Sequence, residues 1–158
     1  MKKDHNYFLK RAIELAEEGM DKGEGGPFGA VVVKDGEIIA EANNKVTSHK
    51  DPTAHAEVVA IRKACEKLQD FQLKDCILYT SCEPCPMCLG AIYWARPKQV
   101  FYALNRRDAA KIGFDDQFVY DEIALDMDER KIPFVNMMRE EGLPVFEKWD
   151  RKENRIDY

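Results

Sequence analysis

The sequence predicts an α/β fold in which a mixed β-sheet lies between helices on both faces. Apolar residues follow the order helix, hairpin, helix, strand, helix, strand, and such alternation is typical of layered α/β domains. The chain has 158 residues, of which 45% are hydrophobic and 34% are charged, as in one globular domain. Since no repeat, low-complexity segment or linker interrupts it, we expect a single domain over residues 1–158.

The first predicted elements are a helix and a β-hairpin. Apolar residues recur at helical spacing after Asp4 and predict a helix there. Asp is a residue type favoured at helix N-caps. These apolar residues are Phe8, Ala12, Leu15 and Ala16. Residues 28–34 and 37–43 read as buried strands, and the Asp35-Gly36 pair between them is a typical hairpin turn.

The middle of the chain alternates between helix and strand. A loop over residues 44–53 precedes a helix marked by apolar spacing from Val58 to Leu68. A strand at 76–80, a helix at 85–95 and a strand at 100–103 follow. After Asn105 the pattern is less regular, and we expect a loop at 113–116 and a short helix at 135–141 that Gly142 closes.

Charge and composition narrow the classes of partner. The net charge of −5 disfavours nonspecific binding to a polyanion, so we expect no nucleic-acid partner. No apolar run approaches the roughly 18 residues of a membrane span, so we expect no membrane partner. Three of five cysteines are clustered, which favours metal binding in a reducing compartment. Without a targeting segment, the expected location is the cytoplasm.

Two short motifs carry the chemistry. His55-Ala56-Glu57 and Pro84-Cys85-Pro86-Met87-Cys88 together supply three candidate zinc ligands, His55, Cys85 and Cys88, and one carboxylate, Glu57. Structural zinc sites usually have four protein ligands, whereas catalytic sites keep one coordination position open. The combined pattern is typical of zinc-dependent base deaminases, which predicts one Zn²⁺ per subunit.

Each residue of the motif has a physical reason for its place. Cys85 and Cys88 are three positions apart, so a helix would place both thiolates on one face near its positive N-terminal end. His55 is expected in the first turn of its own helix, where the dipole favours a neutral imidazole. Zinc would lower the pKa of a bound water toward about 7, and Glu57 would pass the proton of that water to a ring nitrogen of the substrate. In a later step Glu57 would protonate the departing amino group.

Other interpretations of the cysteines remain open at this level. Cys82 lies three residues before Cys85 and offers a fourth ligand for a purely structural zinc site. Iron–sulfur binding and thiol–disulfide chemistry are further alternatives, as is a zinc module that binds nucleic acid without catalysis. Glu57 favours a catalytic site over these alternatives, because a purely structural site does not need a carboxylate beside its ligands.

The sequence resembles the cytidine deaminase-like zinc enzymes and, within them, the bacterial guanine deaminases. The resemblance runs almost from end to end and is carried by five segments: Gly25–Ala30, Asp51–Glu57, Thr80–Cys88, Leu89–Pro97 and Gly113–Asp116. The tRNA adenosine deaminases share the zinc motifs. Residues 109–116 lack the Lys-Thr-Gly-Ala run typical of those tRNA enzymes and favour the guanine deaminases.

The resemblance implies a fold, a reaction and a substrate site. The fold is a three-layer α/β/α sandwich around a five-stranded mixed sheet, and the reaction converts guanine to xanthine and ammonia. Asn44 and Asp116 are expected to hydrogen-bond the purine base, while Phe28 and Trp94 enclose its ring. Deamination of guanosine, or of adenosine in tRNA, is the alternative reaction.

The resemblance also implies a quaternary arrangement. It suggests a homodimer that exchanges C-terminal segments, so that Tyr158 reaches the active site of the partner subunit. The periodicity of the chain does not itself predict an exchange, although residues 144–149 include apolar side chains that need a surface to cover them.

Overall fold

The computed structural model describes residues 3–158, which divide into two compact units. The first unit ends at Asp116, and the second is Gln117–Tyr158. The expectation of a single domain over the whole chain stays a prediction. Within the described residues, no helix is both long enough and apolar enough to cross a membrane.

The first unit contains every predicted strand and most of the predicted helices. Its elements are α1 (His5–Asp21), β1 (Gly29–Lys34), β2 (Glu37–Asn43), α2 (Val46–His49), α3 (Ala56–Leu68), β3 (Cys76–Cys82), α4 (Pro86–Ala95), β4 (Gln99–Leu104) and α5 (Arg106–Lys111). The second unit contains α6 (Gln117–Ala124) and α7 (Arg139–Asp150). Helix α2 falls within the segment predicted as a loop.

The four strands form a mixed sheet in the order β2-β1-β3-β4. Strand β1 is antiparallel to both β2 and β3, whereas β3 and β4 are parallel. The five-stranded sheet implied by the resemblance is therefore wrong for residues 3–158, and the four strands predicted from the residue pattern are confirmed. No later segment adds a strand, because residues 105–124 are largely helical and residues 125–138 form turns, bends and irregular backbone.

Side chains of β1 alternate between the two faces of the sheet, which explains the three layers. Val31 and Val33 pack in one core cluster with α1, whose inward residues are Phe8, Ala12 and Leu15. Ala30 and Val32 face the other way, into a cluster built mainly from α3 and α4. That cluster contains Ala56, Ala60, Ala64, Ile92 and Ala95. The predicted α/β/α sandwich is confirmed for this unit.

Local chemistry fixes the first helix and the hairpin as predicted. The Asp4 carboxylate accepts a hydrogen bond of 2.9 Å from the Tyr7 backbone N–H and caps α1. Asp35 and Gly36 have φ angles of 51° and 79°, the left-handed conformations that a tight two-residue hairpin turn requires.

The predicted helix at 135–141 is wrong in position. Met138 has a left-handed backbone with φ of 56°, so the helix begins only at Arg139. It then continues through Gly142, which was expected to close it, and through Pro144 to Asp150. Pro144 is the sixth of the twelve residues of this helix, so its missing N–H leaves one backbone bond unmade inside the helix.

Gly29 gives a test of how closely β1 approaches α1. A Cβ atom at Gly29 would lie 2.1 Å from the Ala12 carbonyl oxygen, a contact that only backbone movement can relieve. We expect Gly29→Ala to lower the free energy of unfolding by about 1–3 kcal/mol. Gly90→Ala is the matched control, because no atom lies within 4 Å of its Cβ position apart from its chain neighbours and the nearby backbone of its own helix. In a helix, that change should raise stability by about 1 kcal/mol. Equal denaturation midpoints for the two variants would contradict the close approach.

Candidate metal centre and active site

The candidate metal centre lies where α3 and α4 begin. His55 is the N-cap residue of α3 and Cys85 the N-cap residue of α4, both with extended backbone. Both residues thus precede their helices by one position, whereas the sequence predicted them inside the first turn. Cys88 lies in the first turn of α4, after Pro86, which occupies a position where its missing N–H does no harm.

Three ligand atoms of these residues meet at one point. The Nδ1 atom of His55 lies 3.5 Å from the Sγ atoms of Cys85 and Cys88, and the three atoms lie within 4.8 Å of one another. Zn–N and Zn–S bonds of ordinary length at tetrahedral angles put nitrogen and sulfur about 3.6 Å apart. The three side chains therefore fit zinc without rearrangement.

The cysteine proposed as a fourth ligand points elsewhere. The Cys82 thiol lies 3.8 Å from the Asn105 carbonyl oxygen, and within the described part of the chain the ligand group contains His55, Cys85 and Cys88 but not Cys82. Burial raises the pKa of Cys82 to about 11, so this thiol keeps its proton at neutral pH. Three protein ligands are the number typical of catalytic zinc, which disfavours the structural-site and iron–sulfur readings.

Without a metal ion, the three ligands differ in protonation: the pKa of Cys85 is lowered, whereas the pKa of His55 is raised by its hydrogen bond with Cys85 and that of Cys88 is raised too. A hydrogen bond with Cys88 lowers the pKa of the Cys85 thiol to about 4, and the contact with His55 acts in the same direction. Cys85 is therefore a thiolate at neutral pH, the form that ligates metals. The pKa of Cys88 is raised, because its thiol donates to the Cys85 thiolate and is buried. Zinc must displace that proton when it binds.

Glu57 places a buried carboxyl beside the ligands. It is the second residue of α3 and only 6% exposed, and burial raises the pKa of its carboxyl. Its Oε2 atom lies 3.5 Å from the Cys88 sulfur, and its Oε1 atom lies 3.3 Å from the Thr80 hydroxyl. The convergence of His55 and Glu57 at one place, which spacing alone did not establish, is thus present in the structure. A buried carboxyl in this position is chemically able to hold and release a proton.

Asn44 is fixed by backbone donors at the end of β2. Its side-chain oxygen accepts hydrogen bonds from the backbone N–H groups of Val46, at 3.0 Å, and Gly26, at 3.4 Å. The side chain is closely enclosed, since a Cβ atom at Gly25 would lie 2.3 Å from that oxygen. The amide nitrogen takes no part in these bonds, so its two N–H donors point away from the anchored end.

Phe28 packs against an aromatic residue that sequence reasoning missed. The rings of Phe28 and Phe114 meet edge to face, with centroids 4.9 Å apart. Phe114 lies within the Gly113–Asp116 motif, so the motif offered a clue, but nothing in the spacing joined it to Phe28. Trp94 lies on α4, is 62% exposed and has the Arg96 guanidinium 6.0 Å from its ring. Its contact with a substrate stays a prediction.

Asp116 lies near the cysteine ligands at the end of a short, well-capped segment. Burial raises the pKa of Asp116, and the negative charge of Cys85 adds to the shift. The segment before it is held at both ends of α5, where the Asn105 side chain accepts from the Asp108 backbone and Phe114 N–H donates to the Ala109 carbonyl. Tyr158 belongs to the second unit and is 70% exposed, and its role stays a prediction.

The ligand assignment predicts which cysteines hold the metal. We expect Cys88→Ser to lose most of the one zinc ion bound per subunit and to lower the melting temperature, because metal binding stabilises the folded state. Cys65→Ser is the control, since Cys65 is half-buried and lies outside the ligand group. Elemental analysis and thermal denaturation measure both effects. Full zinc content in Cys88→Ser, or its loss in Cys65→Ser, would refute the assignment.

Comparisons with known proteins agree with this centre. Guanine deaminase of Bacillus subtilis is 62% identical over 155 residues, which cover 98% of this chain and 99% of that protein. An X-ray structure of guanine deaminase from Bacillus subtilis matches the fold with a TM-score of 0.96, over 98% of this chain and 99% of that one.

More distant relatives share part of the chain. A tRNA-specific adenosine deaminase of Aquifex aeolicus is 48% identical over 102 residues, which are 64% of this chain and 67% of that protein. A structure of guanine deaminase from Nitrosomonas europaea is 32% identical, with a TM-score of 0.68 over 72% of this chain and 65% of that one. Residues 2–104 match the family described as the cytidine and deoxycytidylate deaminase zinc-binding region. The chain therefore belongs to the cytidine and deoxycytidylate deaminase family of zinc-binding proteins.

Proposed function

We propose that this chain is a zinc-dependent guanine deaminase, which hydrolyses guanine to xanthine and ammonia. The observation that carries the choice of substrate is the 62% identity to a guanine deaminase over 98% of the chain. That match extends well beyond residue 104, where the match to the wider deaminase family ends. The additional segment includes Phe114 and Asp116, which lie next to Phe28 and the cysteine ligands.

The chemistry follows from the arrangement of Glu57 and the ligands. His55, Cys85 and Cys88 would hold the zinc ion, which when bound would supply Lewis-acid activation of a water molecule and lower its pKa toward about 7. Glu57 accepts a proton from the attacking water and delivers it to the ring nitrogen beside the carbon that bears the 2-amino group. Glu57 then takes the proton of the hydroxyl group that is now bonded to this carbon and gives it to the amino group. The carbon–nitrogen bond breaks, ammonia leaves, and the carbon keeps a carbonyl oxygen. Burial raises the pKa of Glu57, and the raised pKa lets its carboxyl hold a proton between these steps.

Four side chains are proposed to bind the purine. Asn44, whose oxygen is occupied by backbone donors, presents N–H groups to acceptor atoms of the base. Asp116 accepts hydrogen bonds from N–H groups of guanine, while Phe28 and Trp94 enclose the ring. Because an analogue without those N–H groups would cover the Asp116 carboxylate and leave it unpaired, such a site discriminates strongly between bases.

Three other functions are less well supported. Deamination of adenosine in tRNA would use the same zinc motifs, but the net charge of −5 and the residues at 109–116 do not favour a nucleic-acid substrate. Guanosine is the nearer alternative, because the same base atoms are available in the nucleoside. A zinc module that binds nucleic acid without catalysis leaves the buried Glu57 carboxyl without a role.

A homodimer with exchanged C-terminal segments is part of the proposal. Helix α7 supports it, because Val145 and Phe146 are 66% and 77% exposed, which is unfavourable for apolar side chains unless another surface covers them. In this arrangement Tyr158 completes the active site of the partner subunit.

Five free cysteines are consistent with the proposed cytoplasmic location.

Loss of the Glu57 carboxyl tests the reaction. We expect Glu57→Gln to lower the turnover number by about 10²–10⁴-fold while one zinc ion per subunit remains bound, because glutamine cannot carry the proton. Ammonia release is measured for the zinc-loaded protein with guanine, guanosine, adenine and cytosine side by side. Release from guanine that is absent in Glu57→Gln supports both substrate and mechanism, whereas release from another compound alone refutes the assignment of Asn44 and Asp116.

Truncation tests the contribution of the C-terminus. We expect a chain that ends at Trp149 to lose activity on guanine while its zinc content is unchanged, because Tyr158 is removed and the ligands are not. Sedimentation and kinetic assays of the full chain, the truncated chain and Tyr158→Ala separate assembly from the role of the side chain. Full activity in both shortened and substituted proteins would exclude Tyr158 from the active site.

A further inference from the structure

We propose that Thr80 is a positioning residue for catalysis, whose hydroxyl fixes the orientation of the Glu57 carboxyl beside the zinc ligands. The inference rests on the proposed function, in which Glu57 carries the proton. Thr80 lies on β3 and is 1% exposed. Its hydroxyl forms hydrogen bonds with Glu57 and with the Cys82 carbonyl oxygen, and neither bond involves an atom that would bind zinc. Its influence on the reaction would therefore pass through Glu57.

The Thr80 hydroxyl is held by the sheet. Strand β3 is an inner strand, where Thr80 is paired with Ala30 of β1 on one side and with Tyr102 of β4 on the other. Its Oγ1 atom lies 3.0 Å from the Cys82 carbonyl oxygen and 3.3 Å from the Glu57 Oε1 atom. The threonine side chain has little freedom, because it is β-branched and closely packed in the interior.

The two oxygens of the Glu57 carboxyl have different neighbours. Oε1 contacts Thr80, and Oε2 lies 3.5 Å from the Cys88 sulfur. A hydrogen bond at Oε1 thus restrains rotation of the carboxyl and keeps Oε2 directed toward the metal centre. Without it, the buried carboxyl would lose a polar partner and turn more freely, which would misplace the oxygen that exchanges protons with the substrate.

A hydroxyl suits this position because it has one donor and two acceptor lone pairs. It donates to a carboxylate, or it accepts from a carboxylic acid while its own proton points to the Cys82 carbonyl. The same side chain therefore stays a partner of Glu57 throughout the proposed reaction. A methyl group of similar size would do neither.

Ser81 provides a matched control on the same strand. Its hydroxyl is also buried, but it accepts a hydrogen bond of 3.0 Å from the Gly29 backbone N–H. Neighbouring residues of a strand point to opposite faces, so Thr80 faces α3, whereas Ser81 faces away from Glu57. Loss of either hydroxyl removes buried hydrogen bonding from β3, but only the Thr80 hydroxyl contacts the Glu57 carboxyl.

The experiment compares Thr80→Val, Thr80→Ser and Ser81→Ala as zinc-loaded full chains. Zinc content, melting temperature, kcat and KM for guanine are measured for each. We expect Thr80→Val to lower kcat about ten- to a hundredfold with little change in KM or zinc content. Thr80→Ser should restore most of kcat, and Ser81→Ala should lower the melting temperature without changing kcat per bound zinc.

Unchanged kcat in Thr80→Val, with only a lower melting temperature, would overturn the inference and leave Thr80 a purely structural role. Equal losses of kcat in Thr80→Val and Ser81→Ala would overturn it too, because they would mark a general effect of weakening β3. If Thr80→Val does not fold, Thr80→Ala carries the same comparison with Thr80→Ser. The two proposals fail separately: an active Glu57→Gln refutes the role of Glu57, whereas an inactive Glu57→Gln beside a fully active Thr80→Val refutes only that of Thr80.

Discussion

The site depends on two helices, α3 and α4, that begin at the same place on one face of the sheet. Small residues make this possible, because Ala56, Ala60 and Ala64 let α3 lie close to β1 and β2. The free N–H groups and the positive end of the α4 dipole then favour a thiolate at Cys85. The expectation that the dipole keeps His55 neutral is wrong without a metal ion, because the hydrogen bond with Cys85 raises the pKa of the imidazole. The packing of α3 and α4 on one face of the sheet therefore both fills the core and brings the zinc ligands together.

A buried carboxyl at this point is costly for folding, and its surroundings explain how the chain tolerates it. Burial penalises the charged form of Glu57, which is why its pKa is raised. A hydroxyl and a thiol lie within reach of its two oxygens, and bound zinc would add a positive charge nearby. The properties that make Glu57 unfavourable in the core are those that let it hold a proton during a reaction.

Most elements of the first unit could be predicted from the sequence, and the predictions that were wrong or missing have physical causes. Hydrophobic periodicity identified all four strands and the long helices, because each element buries one face or both. The fifth strand came from the resemblance and not from any alternating segment. Phe114 was missed because its contact with Phe28 depends on how α5 is capped, and Thr80 because its hydroxyl meets Glu57 only after α3 packs on β3. Such contacts are tertiary, and no local spacing encodes them.

In the proposed function, the residues that carry the chemistry lie before residue 104, whereas some of the residues that select the base lie after it. The metal ligands, Glu57 and Thr80 all lie within residues 2–104, which match a family that acts on several substrates, and all are held by the sheet or by the starts of helices packed on it. Asp116 and Phe114 lie beyond that match, on a segment fixed by the caps of α5 instead of by the sheet. Under the proposed function, a change in that segment would alter which base is bound without disturbing the zinc ligands. The residues at 109–116 therefore carry more information about the substrate than the zinc motifs do.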